Sequence, residues 1–241
     1  MSVFKFKEFE VTQDRCAQKV GTDGVLLGAW ACKNKTPYNI LDIGAGTGVI
    51  SLMLAQRFHG AQIEAVELDE DAFEQAATNF EESPWGGDRL FCFHASFQEY
   101  FEEIDETYDL IISNPPFFDS SSVKIDSDIK KSREQARFDD ALPFEELIYG
   151  VYKLLDNDGI FACVIPSDRE DHFLRIAAHY KLLPARITHV KGTEASSVKR
   201  SLLELRFRKS EIERGLLTIE LSRHEYTKDY TSLVKDFYLK M

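Results

Sequence analysis

The sequence predicts an α/β protein with a doubly wound sheet, and two observations lead to this fold class. Short apolar runs typical of buried strands alternate with stretches whose apolar residues recur at helical spacing. A turn containing Gly44, Gly46 and Gly48 follows one such strand and precedes a helical stretch, at the strand end where open α/β sheets bind ligands. A length of 241 residues with 44% hydrophobic content is sufficient for one large core.

The first part of the chain supplies the alternating elements. The expected strands are residues 39–43, 62–67, 90–94, 108–113 and 159–165. Helices are expected after Gly48, where Ile50, Met53 and Phe58 share one face, and over residues 71–80, 143–155 and 169–180. Acidic residues suit the start of the second helix, and Pro143 suits the first turn of the third.

The chain changes character after residue 180. Residues 185–190, 200–208 and 216–221 indicate strands, and no long helix separates the first two. We therefore expect an antiparallel strand pair at the edge of the sheet. Residues 230–238 form a last amphipathic stretch and predict a short helix.

The composition argues against several classes of protein. Cys16, Cys32, Cys92 and Cys163 show no C-x-x-C spacing, which disfavours a zinc site or a disulfide framework and fits a reducing compartment. The N-terminus lacks an apolar signal core, and the longest apolar run, residues 24–32, is too short to cross a membrane. The sequence has no pair of histidines at the spacing H-x-x-x-H, which would indicate a metal site. We expect a cytoplasmic monomer that binds neither membrane nor metal.

The net charge of −12 is unevenly distributed. Residues 62–110 contain 15 acidic residues and one basic residue, whereas residues 181–210 contain eight basic residues and two acidic ones. A basic edge on an acidic protein is compatible with a polyanionic partner. Because charge runs are usually solvated surfaces, charge alone does not identify a partner.

The glycine-rich turn predicts a nucleoside cofactor, because glycine lets the backbone approach a ligand closely. Asp42 precedes the turn, and Glu67 ends the next strand, where its carboxylate can accept hydrogen bonds from both ribose hydroxyls. The dinucleotide pattern G-x-G-x-x-G would require glycine at position 49, which is Val49. The spacing G-x-G-x-G after an aspartate is typical of enzymes that use S-adenosylmethionine.

The tetrapeptide Asn114-Pro115-Pro116-Phe117 follows the fourth strand and predicts the chemistry. Its prolines fix the backbone and remove two N–H donors, so that carbonyl acceptors predominate. The Asn114 side-chain oxygen and the Pro115 carbonyl can each accept one hydrogen of an exocyclic amine, which turns the nitrogen lone pair toward a methyl donor. Phe117 can stack on a base. Asn114, Pro115 and Phe117 are therefore the expected catalytic residues.

Further segments point to one family. They are residues 6–9, 14–17, 19–24 and 26–30, Ser83-Pro84-Trp85, Arg133-Glu134-Gln135-Ala136-Arg137 and the ending Phe237-Tyr238-Leu239. Together they resemble the bacterial tRNA1(Val) (adenine-N6)-methyltransferases, which modify adenosine 37 beside the anticodon of a valine tRNA, and the resemblance covers nearly the whole chain. The opening segments and residues 133–137 are the discriminating parts, since many methyltransferases share the two main motifs.

The resemblance implies a Rossmann-like methyltransferase sheet that transfers a methyl group from S-adenosylmethionine to N6 of adenosine 37 in tRNA1(Val). The expected cofactor-binding residues are Lys19, Thr22, Asp42, Gly44, Gly46, Gly48, Glu67, Leu68, Ser96 and Asn114. Ser96 is a departure, because such enzymes commonly carry an acid there for the cofactor's adenine amine. We expect one domain, with residues 1–36 as an N-terminal extension packing on the cofactor side and residues 37–241 as the catalytic fold.

The implied partner is the anticodon arm of a valine tRNA. Its expected contacts are Pro116, Arg133, Arg137, Lys199 and Arg200. Basic side chains there can neutralise phosphates, which makes binding salt-sensitive, while the target adenine leaves its stack.

Other functions remain open at this point. Asn-Pro-Pro-aromatic loops also occur in enzymes that methylate guanine N2 of ribosomal RNA or glutamine amides of proteins, and each of these acceptors has a planar NH₂. An RNA-binding module with a vestigial cofactor pocket is disfavoured by the intact tetrapeptide. A nicotinamide dehydrogenase is disfavoured by Val49.

Overall fold

The computed structural model describes residues 2–115 and 142–241. The strands in these ranges are β1 Val3–Lys5, β2 Glu10–Thr12, β3 Asn39–Ile43, β4 Gln62–Glu67, β5 Leu90–His94, β6 Tyr108–Ser113, β7 Leu155–Pro166, β8 Leu183–Lys191, β9 Val198–Arg206, β10 Glu213–Thr218, β11 Glu220–Ser222 and β12 Glu225–Tyr226. The helices are α1 Thr22–Trp30, α2 Val49–Arg57, α3 Glu70–Glu81, α4 Phe97–Glu103, α5 Phe144–Leu154, α6 Glu170–His179 and α7 Lys228–Val234.

Eight strands form the central sheet in the order β10-β8-β9-β7-β6-β3-β4-β5. Strands β7 to β5 in this order pair in parallel, whereas β9 is antiparallel to both β7 and β8. The predicted α/β sheet and antiparallel pair are confirmed. That pair does not end the sheet, because β10 adds a further strand parallel to β8.

The strand order changes direction between β3 and β6, and this position matters for function. From β3 the chain adds β4 and β5 on one side, then returns to add β6 and β7 on the other. The loops after β3 and β6 therefore leave the sheet in opposite directions and open a crevice between them. Ligands of open α/β sheets bind in this kind of crevice.

Two cores cover the two faces of the sheet. Ile40 and Leu110 belong to the core that packs against α1 and α2, whereas Leu41 and Ile111 belong to the core that packs against α4, α5 and α6. Strands buried on both faces need apolar residues at nearly every position. This requirement explains the predicted bounds of the strands over 39–43 and 108–113, whereas β5, over 90–94, is the outermost strand and is largely exposed.

Other elements differ from the predictions. Strand β7 is longer than the expected residues 159–165, because α5 runs directly into it at Leu155. Helices α1 and α4 and the hairpin of β1 and β2 were not predicted. Helix α1 is buried almost all round, including Val25, Leu26 and Leu27, so it has no polar face to reveal its period.

The two ends of the chain meet beside this core. Phe6 forms a β-bridge with Tyr238, and the N–H of Lys7 donates to the Phe237 carbonyl at 2.8 Å. Phe6 also stacks on Phe9, with ring centroids 4.6 Å apart. None of the helices in the described ranges has the length and apolarity needed to cross a membrane.

Candidate active site

Strand register brings the predicted motifs together. Ile43, the last residue of β3, is level with the end of β4 on one side and with Ser113, the last residue of β6, on the other. The Ser113 hydroxyl donates to the Ile43 carbonyl at 2.9 Å and ties these two strand ends. Gly44, Glu67 and Asn114 directly follow the three residues that are level with one another, so they emerge side by side at the carboxyl ends of the strands.

The three glycines of the turn have two different roles. Gly44, Gly46 and Gly48 have φ of 74°, 54° and 76°, in the left-handed region that favours glycine. A Cβ added at Gly44 or Gly46 would meet no atom within 4 Å, so these two residues leave open space above the loop. A Cβ at Gly48 would lie 2.5 Å from Cε1 of Phe80, so Gly48 is required for packing.

Glu67 holds the turn in place. Its carboxylate accepts hydrogen bonds from the N–H of Gly46 at 2.8 Å and from the N–H of Asp69 at 2.9 Å. Burial raises the pKa of Glu67 above its usual value, while these hydrogen bonds oppose that shift. A carboxylate has about four lone-pair sites, so Glu67 keeps acceptor capacity for a ligand hydroxyl.

Asp42 lies beneath the turn and is completely buried. One of its oxygens, Oδ2, accepts from the Ser51 hydroxyl at 2.7 Å, whereas Oδ1 has no hydrogen-bond partner in the described part of the chain. Burial raises the pKa of Asp42 to about 7. A buried oxygen without a partner is costly, and a cationic ligand nearby would offset that cost.

A cavity of about 600 Å³ opens above the glycine turn, within the size range of small-molecule sites. Its walls come from the N-terminal segment, the glycine turn, the end of β6 and the facing ends of β7 and β9. The lining residues are Gln18, Lys19, Gly21, Thr22, Asp23, Gly24, Gly44, Ala45, Gly46, Thr47, Val49, Ile50, Asn114, Pro166, Ser167, Asp168, Val198, Lys199 and Arg200.

Asn114 is half-buried on the cavity wall, and Pro115 behind it is buried. The start of α1 approaches closely: a Cβ at Gly24 would lie 3.9 Å from the Asn114 amide nitrogen and 3.6 Å from Val49. Within residues 2–115 and 142–241, the Asn114 amide makes no hydrogen bond. No described residue therefore occupies its oxygen, which could accept from a ligand.

Charged residues line the cavity where the N-terminal segment faces β9. Lys19 and Lys199 are exposed. The Nε of Arg200 donates to Oδ2 of Asp23 at 2.7 Å, and Nη1 donates to the Lys199 carbonyl at 3.1 Å. We call Asp23, Lys199 and Arg200 the charged rim.

The structure brings most of the predicted site residues together. Those that line the cavity are Lys19, Thr22, Gly44, Gly46, Asn114, Lys199 and Arg200. Those at the same sheet edge but not in the lining are Asp42, Gly48, Glu67, Leu68, Ser96 and Pro115. Those outside the described residues are Pro116, Phe117, Arg133 and Arg137.

Ser96 already has a structural task. Its hydroxyl donates to a carboxylate oxygen of Glu99 at 2.7 Å and accepts from the Glu99 N–H at 3.1 Å, in a capping box that starts α4. Leu68 is 46% exposed nearby, and its carbonyl is 3.1 Å from Nε2 of His94. Contacts from Ser96 and Leu68 to a cofactor stay predictions.

The sequence did not identify several lining residues. Pro166 ends β7, and Ser167 and Asp168 follow it at the same sheet edge; the predicted end of that strand at residue 165 could have indicated them. The family resemblance assigns the segment of residues 19–23 to the methionine end of the cofactor, but the ion pair of Asp23 with Arg200 could not be found by pattern, because the two residues lie 177 positions apart.

Comparison with known proteins is consistent with this geometry. The model of the methyltransferase small domain matches residues 23–135. A Flavobacterium johnsoniae protein named tRNA1(Val) (adenine(37)-N6)-methyltransferase is 55% identical over 99% of this chain and 100% of its own length. A Phocaeicola vulgatus protein of the same name is 46% identical, over 99% of this chain and 98% of its own.

Solved structures share the fold at low sequence identity. A predicted O-methyltransferase from Agrobacterium tumefaciens superposes with a TM-score of 0.69 at 17% identity, covering 89% of this chain and 96% of that one. The methyltransferase subunit of a type I restriction-modification system from Streptococcus thermophilus gives 0.62 at 14% identity, covering 97% of this chain and 53% of that one. These similarities establish the methyltransferase sheet.

Proposed function

The chain belongs to the tRNA1(Val) (adenine(37)-N6)-methyltransferase family, and we propose that it methylates the exocyclic N6 of adenosine 37 in tRNA1(Val). The observation that carries this proposal is the position of Asn114, whose amide no described residue occupies, in the same cavity lining as Gly44 at the switch point of the sheet. The proposal also draws on relatives of that name, which align over nearly the full chain.

The residues around the cavity fit S-adenosylmethionine, which supplies an activated methyl group on a sulfonium. Gly44 and Gly46 leave room for close approach, and Glu67 retains acceptors for ribose hydroxyls. The orphan oxygen of Asp42 suits a cation, and it lies beneath the same turn. Lys19 and Thr22 lie near enough to hold the charged tail of such a cofactor. We assign Gly48, Leu68 and Ser96 to the cofactor site on the family resemblance alone.

Asn114 and Pro115 orient the acceptor nitrogen. The side-chain oxygen of Asn114 and the carbonyl of Pro115 each accept one amine hydrogen, so that the lone pair turns out of conjugation with the ring. No strong base is required for this step. Holding two reacting atoms in line supplies about 7–11 kcal/mol of a barrier in well-oriented systems. Pro116 and Phe117 lie outside the described residues; from the sequence we assign Pro116 to the substrate site and Phe117 to stacking on the base.

The partner that we propose is the anticodon arm of the valine tRNA. Lys199 and Arg200 lie where phosphates flanking an extruded base would reach the cavity. Arg133 and Arg137, beyond the described residues, are assigned to the same RNA from sequence. We further propose that the protein acts as a cytoplasmic monomer and a single domain, in which residues 1–36 pack on the cofactor side. The lining contributed by residues 18–24 supports the last point.

Transfer of labelled methyl groups to unmodified valine tRNA tests the proposal. A second transcript with guanosine in place of adenosine 37 is the matched control. We expect label in the first transcript and at least a tenfold lower incorporation in the second. Equal labelling of both transcripts, or labelling only of ribosomal RNA or protein, would contradict the assigned acceptor.

A further inference from the structure

The ion pair of Asp23 and Arg200 joins two segments that line the same cavity. Asp23 lies in the first turn of α1, and Arg200 lies in β9. The Arg200 Nε is 2.7 Å from Oδ2 of Asp23, and the two side chains are 31% and 32% exposed. The ion pair is therefore partly exposed, and each of its two side chains is anchored on a regular element, α1 or β9.

Arg200 is held at two points of its planar group. Its Nε donates to Asp23, and one N–H of Nη1 donates to the Lys199 carbonyl at 3.1 Å. A guanidinium has five N–H donors in a fixed plane. The remaining donors of Arg200 have no partner in the described part of the chain. They form a preoriented edge suited to two oxygens of one phosphate.

We propose that Asp23 is a positioning residue for RNA, which holds Arg200 so that its free edge receives a phosphate beside the target adenosine. The inference rests on the proposed function, because that function brings an extruded base to this cavity. Flanking phosphates then lie at the cavity wall, where Lys199 adds a second positive charge.

The direction in which RNA affinity changes when Asp23 is neutralised distinguishes positioning from simple charge repulsion. An acid close to a phosphate repels it, and charges within about 10 Å of each other are incompletely screened at 0.1 M salt. Removing Asp23 should then strengthen RNA binding. A free arginine, however, loses rotamer freedom when it binds a phosphate, and Asp23 has already restricted that freedom. Positioning therefore predicts weaker RNA binding when Asp23 is neutralised.

Asp168 provides a matched control. It lines the same cavity and is exposed, and no ion pair to it occurs in the described part of the chain. Asp23→Asn and Asp168→Asn therefore remove the same charge from one cavity, but only the first breaks an ion pair. We expect Asp23→Asn to raise the dissociation constant for valine tRNA, and KM for that tRNA, by about 3- to 10-fold. Asp168→Asn should leave tRNA binding unchanged or tighter.

Two further readouts separate positioning from loss of structure. The affinity for S-adenosylhomocysteine and kcat should stay within about twofold of wild type in Asp23→Asn, since the change concerns RNA binding alone. Arg200→Lys keeps the charge but not the planar edge, so it should weaken tRNA binding, and adding Asp23→Asn to it should weaken binding little further.

Three outcomes would overturn the inference. Binding of tRNA by Asp23→Asn as tight as wild type or tighter, in parallel with Asp168→Asn, would identify Asp23 as a repulsive charge. A parallel loss of S-adenosylhomocysteine affinity or of thermal stability would assign it to the cofactor site or the fold. Both results leave the proposed function standing, provided that wild type methylates valine tRNA. Failure of wild type to do so would overturn the function and the inference together.

Discussion

The glycine turn is held by buried hydrogen bonds, whereas the charged rim across the cavity is held by one half-exposed ion pair. Glu67 accepts from the N–H of Gly46 in the turn, and Asp42, just before the turn, accepts from the Ser51 hydroxyl of α2; both carboxylates are buried. Asp23 and Arg200 fix the rim, where water and salt reach them. A small cofactor of constant shape suits a preformed site, and a large polyanion suits side chains that respond to its charge. We therefore expect separate sets of mutations to change the affinity for the cofactor and the affinity for tRNA.

Asn114→Ala should give the largest effect, because the proposed function assigns Asn114 to the acceptor nitrogen, next to the glycine turn. Removing an oriented hydrogen-bonding group from a reaction centre typically lowers kcat by about 10²–10³-fold. Single-turnover methyl transfer to valine tRNA measures this loss. Affinity for S-adenosylhomocysteine should change much less. If kcat survives the substitution, the amide has no part in orienting the acceptor.

Gly46→Ala should selectively damage the glycine turn. The new Cβ would enter the open space above the turn, at a φ of 54° that disfavours alanine. We expect S-adenosylhomocysteine affinity to fall about 10- to 100-fold, or about 1.4–2.7 kcal/mol, by calorimetry. Valine tRNA binding should be nearly unchanged.

Gly60→Ala is the control for this change, since Gly60 also has open space around its Cα but lacks a positive φ. It should leave cofactor affinity as it is. Equal losses at Gly46 and Gly60 would show that the turn has no special relation to the cofactor.

Asp42 should make stability of the cofactor-free protein depend on pH. Burial raises its pKa from 3.8 to about 7, so the folded state holds a proton that the unfolded state has lost between these values. Stability from this group is therefore present below pH 4 and is lost as the pH rises to about 7. Relaxation of the site reduces the effect, and we expect about 1–2 kcal/mol.

Thermal unfolding of wild type and Asp42→Asn between pH 4.5 and 7.5 measures this contribution. The advantage of wild type over the variant should decrease as the pH rises. A constant difference across this range would mean that Asp42 does not titrate there.

Lys199→Gln should give the smallest effect, at the rim. If Lys199 neutralises one phosphate, the slope of log affinity for tRNA against log salt should fall by about 1. Lys209→Gln removes the same charge from the same basic segment but outside the cavity lining. An identical change in slope for both variants would argue for diffuse charge rather than a contact at Lys199.

The same division explains how much the sequence could predict. Gly44, Gly46, Glu67 and Asn114 follow buried apolar strands, and parallel register brings such strand ends together. The local sequence pattern was therefore sufficient to predict that these residues lie close together. The pairing of Asp23 with Arg200 depends on the path of the whole chain between them, and no local pattern encodes it.

The elements that were missed have similar causes. Helix α1 lacks a polar face because both its sides are buried. Strand β10 lies outside the expected edge pair, because the order of strands at the edge of a sheet depends on long-range packing. Ser96 illustrates a polar residue whose local role, the capping box with Glu99, could have been read from the spacing Ser96-x-x-Glu99.

In the proposed reaction, Asn114 orients N6 of an adenine for methylation in the cavity. Nucleoside mass spectrometry of valine tRNA after incubation with wild type and S-adenosylmethionine, with Asn114→Ala alongside, tests it most directly. We predict a peak of N6-methyladenosine that is absent or strongly reduced in the variant. N2-methylguanosine instead, or no modified nucleoside in the wild-type sample, would contradict the claim.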